Sequence, residues 1–173
     1  MDKRHFERFY TSYFKRIYKF VYFRVGGNRA LAQDLTQDVF LKAFQAFDRY
    51  DPLVSQVSWI YTIARNHLAN AYAKNRPQVD LDEVEGTLQV SVDLRECFAN
   101  QHDERILCET LRRLPVEDAE LVRMKYLEGW SFDDLQQIMG KTSGALRVQA
   151  SRTLKKLKGL MKDPYASPDE PTI

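Results

Sequence analysis

The sequence is poor in the residues that build disulfide frameworks, metal centres and catalytic sites. Its 173 residues include two cysteines and three histidines. Cys97 and Cys108 fit no metal or redox spacing, so we expect free thiols in a reducing cytoplasm, with a redox switch as the alternative. The histidines are scattered at positions 5, 67 and 102, without a glycine-rich phosphate loop or a nucleophile–base pair. The sequence therefore predicts no enzymatic activity, no metal site and no cofactor.

The sequence also lacks long apolar runs and the alternation of apolar and polar residues that marks strands. No segment approaches the roughly 20 apolar residues of a membrane span, and the charged N-terminus argues against a secretory signal. We therefore expect a cytoplasmic protein that does not itself insert into a membrane. The net charge of +2 indicates no partner, but a local basic stripe in a nearly neutral chain still binds polyanions.

Apolar residues at three- and four-residue steps predict three helices in the first 76 residues. The first helix ends at Gly26–Gly27, and the second runs from an N-cap at Asn28 to about Phe47. The third helix is predicted from a cap at Ser58 to about Asn75.

Two large side chains of the third helix are expected in the core. Trp59 is predicted to pack there, with stacking on DNA as the alternative. His67 lies toward the apolar face and is expected to be a core histidine with its polar atoms satisfied.

Residues 77–104 interrupt the helical pattern with a strongly acidic segment. Arg95 is its only base, and it has eight acids. We predict a flexible linker here, with a short helix near Leu94–Ala99. The acids are Asp80, Asp82, Glu83, Glu85, Asp93, Glu96, Asp103 and Glu104.

The helical pattern then resumes, with predicted helices at about 104–113 and 115–127. A helix at 132–139 follows a near capping box at Ser131, and a last helix runs from a cap at Thr142 to about Met161. Residues 163–173 are predicted to be disordered. The expected fold class is all-α, with two small helical domains, 1–76 and 105–162, joined by the acidic linker.

The stretch from Ser131 to Lys158 has the layout of a helix-turn-helix, in which the second helix enters the major groove. Residues 141–162 contain seven bases and no acid, which favours a polyanion partner over a solvated basic face. The candidates to face base edges are Ser143, Ala145, Arg147 and Gln149, and the Gln149 amide matches the edge of adenine.

Motifs in both halves together resemble the extracytoplasmic-function group of bacterial sigma factors. Region four of that family is similar to Leu114–Pro115, Tyr126–Ser131 and Gly140–Arg147, and region two is similar to Asp34–Phe40 and Trp59–Asn66. The resemblance implies a dissociable, non-enzymatic subunit of bacterial RNA polymerase that recognises promoters and helps to melt them. It also implies control by an anti-sigma partner.

The resemblance to region two implies contacts with the polymerase clamp helices and with the melted minus-ten element. The implied clamp contacts are Asp34, Gln37, Asp38 and Leu41. Their spacing of three and four residues places them in one stripe, for which a plain solvated face is the alternative. The implied minus-ten contacts are Tyr50, Asp51, Ser55, Gln56, Ser58, Arg65, Asn66, Asn70, Tyr72 and Arg76.

The resemblance to region four implies contacts with the polymerase flap and with the double-stranded minus-thirty-five element. It also implies that the acidic linker threads the polymerase near the template strand. The implied minus-thirty-five contacts are Thr142, Ser143, Ala145, Arg147, Gln149, Ser151, Arg152, Lys155 and Lys156.

Four residues depart from the family pattern. Asn70 stands where aspartate is usual, Gln136 where a small alanine is usual, and Gln149 and Leu154 where arginine is frequent. We expect these changes to alter promoter preference. A stand-alone helix-turn-helix regulator is the alternative function, and the region-two motifs argue against it.

Overall fold

The structure of the protein, a computed structural model, describes residues 3–75, 107 and 109–162. These residues are helical or lie in turns, with no strand among them, which confirms the all-α fold class. The chain divides into two compact units, Met1–Asp93 and Leu94–Ile173. The predicted linker with its short helix, the tail, both cysteines and Arg76 lie outside the described residues.

Unit 1 is a bundle of three helices, as predicted. Helix α1 is Lys3–Arg24, α2 is Arg29–Ala46 and α3 is Gln56–Asn75, with a 3-10 turn at Phe47–Arg49. Each helix packs against the other two. Their facing sides are apolar, and burying these sides stabilises the bundle. The buried apolar side chains are Phe9, Ile17, Phe20, Val21, Val25, Ala32, Val39, Phe40, Ala43, Val57, Ile60, Ala64 and Leu68.

The junction between α1 and α2 follows from local chemistry. Gly26 and Gly27 adopt φ of 65° and 77°, a left-handed geometry that other residues rarely tolerate and that ends α1. The Asn28 side chain then accepts a hydrogen bond of 3.1 Å from the Leu31 amide and caps α2. Both predicted boundaries are confirmed.

The prediction that Ser58 caps α3 is wrong. The helix begins at Gln56, and the Ser55 carbonyl accepts the bond from the Trp59 amide at 2.9 Å, which gives Ser55 the N-cap position. Ser58 lies within the first turn. Both serines suit a cap by residue type, but the earlier start adds Val57 to the buried side of α3.

Unit 2 contains helices α4 (Val116–Val122), α5 (Phe132–Met139) and α6 (Ser143–Lys162). Helices α4 and α5 both pack against α6, and residues 109–112 are also helical. This unit is held together by an apolar cluster to which the segment before α4, helix α4 itself and helix α6 contribute. Its buried members are Leu111, Leu114, Val122, Leu157 and Leu160.

The predicted helix at 115–127 is correct only in its first half. After Val122 the chain widens into a π-helix, Arg123–Glu128. Apolar periodicity assumes that residues three or four apart share a face, whereas the wider turn aligns residues five apart.

No described helix is long and apolar enough to cross a membrane.

Candidate nucleic-acid and polymerase interfaces

The predicted helix-turn-helix is formed by α5, the turn at Gly140–Thr142 and α6. The Ser131 hydroxyl accepts the Asp134 amide at 3.0 Å and the Asp134 carboxylate accepts the Ser131 amide at 2.9 Å, so the capping box is complete. Gly140 ends α5 with φ of 69°, and the Thr142 hydroxyl accepts the Ala145 amide at 3.2 Å. The capping box thus fixes the start of α5, and the Thr142 cap fixes the start of the basic helix α6.

Helix α6 separates a core side from an outer side. Its core side chains are Leu146, Ala150, Thr153, Leu157 and Leu160, all buried. The predicted DNA-facing residues lie around the remaining surface: Thr142, Ala145, Arg147, Ser151, Arg152, Lys155 and Lys156 are exposed, while Ser143 and Gln149 are half-buried.

Three predicted residues, Arg147, Ser151 and Lys155, meet in one groove. Its other lining residues are Tyr126, Phe132, Leu154 and Lys158. The guanidinium carbon of Arg147 lies 5.5 Å from the centre of the Phe132 ring, a cation–π contact that orients the arginine along the groove. The groove therefore has an aromatic side and a row of cations suited to phosphate oxygens.

Gln149 is bound to its own unit, which argues against the prediction that it reads adenine. Its amide nitrogen donates to Asp118 of α4 at 2.7 Å, and its amide oxygen accepts from Lys141 at 3.3 Å. Lys141 in turn pairs with Glu117. Reading a base with Gln149 would break these bonds, so the glutamine and Lys141 serve to hold α4 against the turn and α6.

The departure at Gln136 has a structural role. Its side-chain oxygen accepts a hydrogen bond of 3.0 Å from the Ser143 amide, one of the unpaired donors at the start of α6. Alanine at this position would leave that amide to solvent. Gln136 is therefore a second capping group at the start of α6, in addition to Thr142.

A buried polar cluster around Glu128, just before α5, is not indicated by the spacing of apolar residues in the sequence. Glu128 is 1% exposed; it accepts a hydrogen bond of 2.9 Å from the indole nitrogen of Trp130 and lies 3.3 Å from the Arg123 guanidinium. Arg123 also pairs with Glu120. The available signal was an acid beside a tryptophan, but nothing local distinguishes it from an exposed turn.

The predicted clamp-binding stripe lies on the outside of α2. Asp34, Gln37, Asp38 and Leu41 are all exposed, and Leu41 is 55% exposed. Asp38 is also engaged within the unit, because its carboxylate lies 3.3 Å from the His67 imidazole of α3. His67 is half-buried, and its Nε2 lies near this carboxylate without making a hydrogen bond, so the expectation that its polar atoms are satisfied stays a prediction.

The loop before α3 closes on itself and presents an apolar tip. The Asp51 carboxylate accepts the Leu53 amide at 2.9 Å, and the Tyr50 hydroxyl donates to the Val54 carbonyl. Leu53 is 94% exposed as a result. Burial and the neighbouring Asp51 carboxylate raise the pKa of Tyr50, so the hydroxyl remains a neutral donor.

The half-buried rings behind this loop pack against one another and against the core residue Phe9. The centre of the Trp59 ring lies 4.9 Å from the ring centre of Tyr50 and 6.0 Å from that of Phe47. It lies 5.6 Å from the ring centre of Phe9. Trp59 therefore packs as predicted. The polar candidates beside it differ in exposure: Asp51 is exposed, whereas Ser55, Gln56 and Ser58 are half-buried.

Helix α3 continues the candidate surface. Arg65, Asn66 and Asn70 are exposed along it. Tyr72 is 37% exposed, but its hydroxyl donates to the Arg24 carbonyl at the end of α1, so only its ring is available. Among the described residues, no group of three or more histidines, cysteines or acids is placed to hold a metal ion.

Comparison with known proteins gives matches in both units. The family model for Sigma-70 region 2 matches residues 9–78, and the model for Sigma-70 region 4 matches residues 105–157. The chain is 30% identical over 156 residues to the RNA polymerase sigma factor CarQ of Myxococcus xanthus, which covers 90% of this chain and 88% of CarQ.

The chain is also 31% identical over 167 residues to the ECF RNA polymerase sigma factor BldN of Streptomyces coelicolor. That match covers 91% of this chain and 61% of BldN, so the chain spans less than two thirds of this relative. Among solved structures, the sigma factor RpoE of Bartonella quintana, in complex with the anti-sigma factor NepR, is similar with a TM-score of 0.55 and 20% identity. It covers 92% of this chain and 98% of RpoE, and it supports the fold.

Proposed function

The chain belongs to the extracytoplasmic-function group of the sigma-70 family, and on that premise we propose that it acts in the cytoplasm as an alternative, non-enzymatic sigma factor of bacterial RNA polymerase. The observation that carries this proposal is the order of the two matched regions on two separate helical units. Unit 1 would bind the clamp helices and the minus-ten element. Unit 2 would bind the flap and the minus-thirty-five element.

For unit 2, the proposed minus-thirty-five surface is the outer side of α6. The exposed cations Arg147 and Lys155 lie in the groove, and Arg152 and Lys156 lie on the other flank of the helix. Cations on both flanks suit the two phosphate strands that border a major groove. Thr142, Ser143, Ala145 and Ser151 complete this surface, and Gln149 supports it from behind.

Replacing Arg147 and Lys155 together by alanine is expected to weaken duplex promoter binding by about ten- to a hundredfold and to lower the salt slope by about 1.8, since each lost phosphate contact removes about 0.9. Filter binding over a salt series measures both. The matched control is Arg29→Ala with Arg112→Ala, which removes two exposed cations away from α6. An equal loss in the control would contradict the assignment, as would loss of polymerase binding by the α6 variant.

For unit 1, the proposed clamp-binding surface is the stripe of Asp34, Gln37, Asp38 and Leu41. Its two carboxylates and exposed leucine suit a basic helical partner with an apolar side. The proposed minus-ten surface is the loop from Tyr50 to Ser58 and the outer side of α3, with Arg65, Asn66, Asn70 and Tyr72; Arg76, which follows α3 in the sequence, is proposed to contribute as well. Bases, amides and a ring suit melted DNA, whose unpaired bases offer edges and faces.

Asp38→Arg is expected to reduce association with core polymerase by about tenfold or more, because it puts like charges at the interface. Surface plasmon resonance with immobilised core enzyme measures this change. His67→Gln is the control, because it removes the pairing partner of Asp38 and leaves the carboxylate. If His67→Gln causes the same loss, Asp38 acts only through its contact with α3.

We further propose that an anti-sigma protein controls this chain. RpoE of Bartonella quintana was solved with its anti-sigma factor NepR. An inhibitor that prevents binding to the polymerase must cover the surfaces of region two or region four that would contact it. The acidic linker is proposed to thread the polymerase near the template strand, because its charge has the sign of nucleic acid.

Run-off transcription tests the proposed function. Purified protein is added to bacterial core polymerase with a library of promoter templates, and specific transcripts are expected only when both are present. Sequence-specific binding of duplex DNA without any transcript would instead identify a stand-alone helix-turn-helix regulator.

A further inference from the structure

Helix α1 has a strongly basic outer side that none of the surfaces above uses. The whole helix contains seven bases and one acid, Glu7, and of the bases only Arg24 is buried; the bases are Lys3, Arg4, Arg8, Lys15, Arg16, Lys19 and Arg24. Arg8, Lys15 and Lys19 follow one another at steps of seven and four residues, which places them on one side of the helix. That side lies opposite the fully buried Ile17.

An aromatic ladder runs along the same helix beside these cations. Tyr10, Phe14, Tyr18 and Tyr22 are spaced four residues apart, with ring centres 5.0, 6.4 and 5.9 Å apart in order. The first two rings contact Phe40 of α2. Because four residues exceed one helical turn by about 40°, the ladder winds away from α2 and brings Tyr18 and Tyr22 beside Lys15 and Lys19.

This charge pattern does not stabilise the helix by itself. Lys15 and Lys19 are like charges four residues apart, an arrangement that destabilises a helix. Within residues 3–75 and the described part of unit 2, no carboxylate pairs with Arg8, Lys15 or Lys19. A solvated helix is usually stabilised by charges of mixed sign, so the pattern favours an external polyanion.

We propose that this side of α1, formed by Arg8, Lys15 and Lys19 with the rings of Tyr18 and Tyr22, binds single-stranded DNA without sequence preference. Cations that track a backbone beside rings that stack on unpaired bases form the usual surface for single strands, and a duplex hides its base faces. The eleven steps from Arg8 to Lys19 span about 17 Å at about 1.5 Å per residue. At about 3.4 Å per stacked nucleotide, this length covers about five nucleotides.

The inference rests on the proposed function only for the source of the strand, which would be the melted promoter. Binding itself is tested with the full chain alone and a fluorescein-labelled 20-mer of thymidine, which forms no duplex and contains no minus-ten element. Fluorescence anisotropy over a salt series gives affinity and salt slope.

Lys15→Gln with Lys19→Gln is expected to weaken binding of this oligonucleotide by about five- to twentyfold and to lower the salt slope by about 1.4, which is two contacts at about 0.7 each. Glutamine keeps helix propensity and removes a like-charge pair, so α1 stays folded. The control is Arg29→Gln with Lys42→Gln, which removes two exposed cations from α2. Equal slopes for the two double variants would overturn the proposal.

Tyr18→Leu tests the ring. It is expected to lower affinity by about fivefold or more at an unchanged salt slope, because stacking is lost while the charges remain. No change in affinity would overturn the stacking part of the proposal. A poly-glutamate peptide that binds as tightly as the oligonucleotide, and loses binding in the same lysine variant, would overturn it in favour of an acidic protein partner. Lysine-dependent binding by a protein that is inactive in run-off transcription would refute the proposed function and leave this inference standing.

Discussion

Glu128→Ala is expected to lower the free energy of unfolding of unit 2 by about 3–5 kcal/mol, the usual effect of removing one partner from a buried ion pair. Glu128 is 1% exposed; its carboxylate accepts a hydrogen bond from the Trp130 indole N–H and forms an ion pair with Arg123. Without it, the buried Trp130 N–H loses this acceptor, and Arg123 loses one of its two carboxylate partners and keeps Glu120. Loss of the side-chain volume adds a cavity.

The two tryptophans allow the two units to be observed separately, since Trp59 lies in unit 1 and Trp130 in unit 2. In a Trp59→Phe background, urea unfolding followed by tryptophan fluorescence reports unit 2. Glu117→Ala is the control: this acid is 53% exposed and pairs with Lys141, so about 1 kcal/mol or less is expected. A Glu128 variant no less stable than this control would contradict the role of the buried cluster.

Glu128→Gln separates the two interactions. The amide oxygen still accepts from Trp130, but the charge opposite Arg123 is gone, so an intermediate loss is expected. Promoter recognition should fall with the stability of unit 2, because the widened turn at Arg123–Glu128 leads directly into α5 and α6. The cluster thus links the core of unit 2 to the position of its DNA-facing helix.

Features that depend on neighbouring residues could be predicted from the sequence. Asn28, Ser131 and Thr142 bond to amides three residues ahead, and these caps are confirmed. The three helices of unit 1 and the limits of α5 follow from apolar spacing, because each helix buries one side. The exposed stripe of α2 and the exposed cations of α6 follow from the same periodicity.

Features that depend on distant residues could not be predicted. The hydrogen bond between Gln149 and Asp118 joins residues that are 31 positions apart in sequence. Asp38 and His67 come from different helices. The π-helix breaks the period on which the prediction of one continuous helix rested. In each case the outcome is set by which helices pack together, and composition and spacing do not encode that locally.

Phe9→Ala is the second large effect, and it concerns unit 1. We expect a loss of about 3–5 kcal/mol, as for other buried phenylalanines cut to alanine. Phe9 is 2% exposed and contacts the rings of Tyr13, Phe40, Phe47 and Trp59, among others. Removing it leaves a cavity where α1, α2 and α3 meet, and no neighbouring helix closes that cavity without moving.

Hydrogen exchange followed by mass spectrometry resolves this loss by unit. Amides of α1 to α3 that exchange by global opening should lose about two to three orders of magnitude of protection, at about 1.4 kcal/mol per tenfold change. Peptides of α5 and α6 should be unchanged. Tyr10→Ala is the control, since Tyr10 is 40% exposed and should have a smaller effect. Protection lost equally in unit 2 would contradict the prediction that the loss is confined to unit 1.

The functional effect of Phe9→Ala should likewise be confined to unit 1. Phe9 is joined to the loop whose tip is the exposed Leu53 by the rings of Phe47, Tyr50 and Trp59. The loop therefore loses its support when Phe9 is removed. Open-complex formation, followed by permanganate reactivity of unpaired thymines, should fall. Binding of duplex minus-thirty-five DNA by the same variant should persist, because α6 and its caps belong to unit 2, whereas the core that loses Phe9 belongs to unit 1. A variant that loses duplex binding as well would show that the two promoter-binding surfaces depend on one shared core.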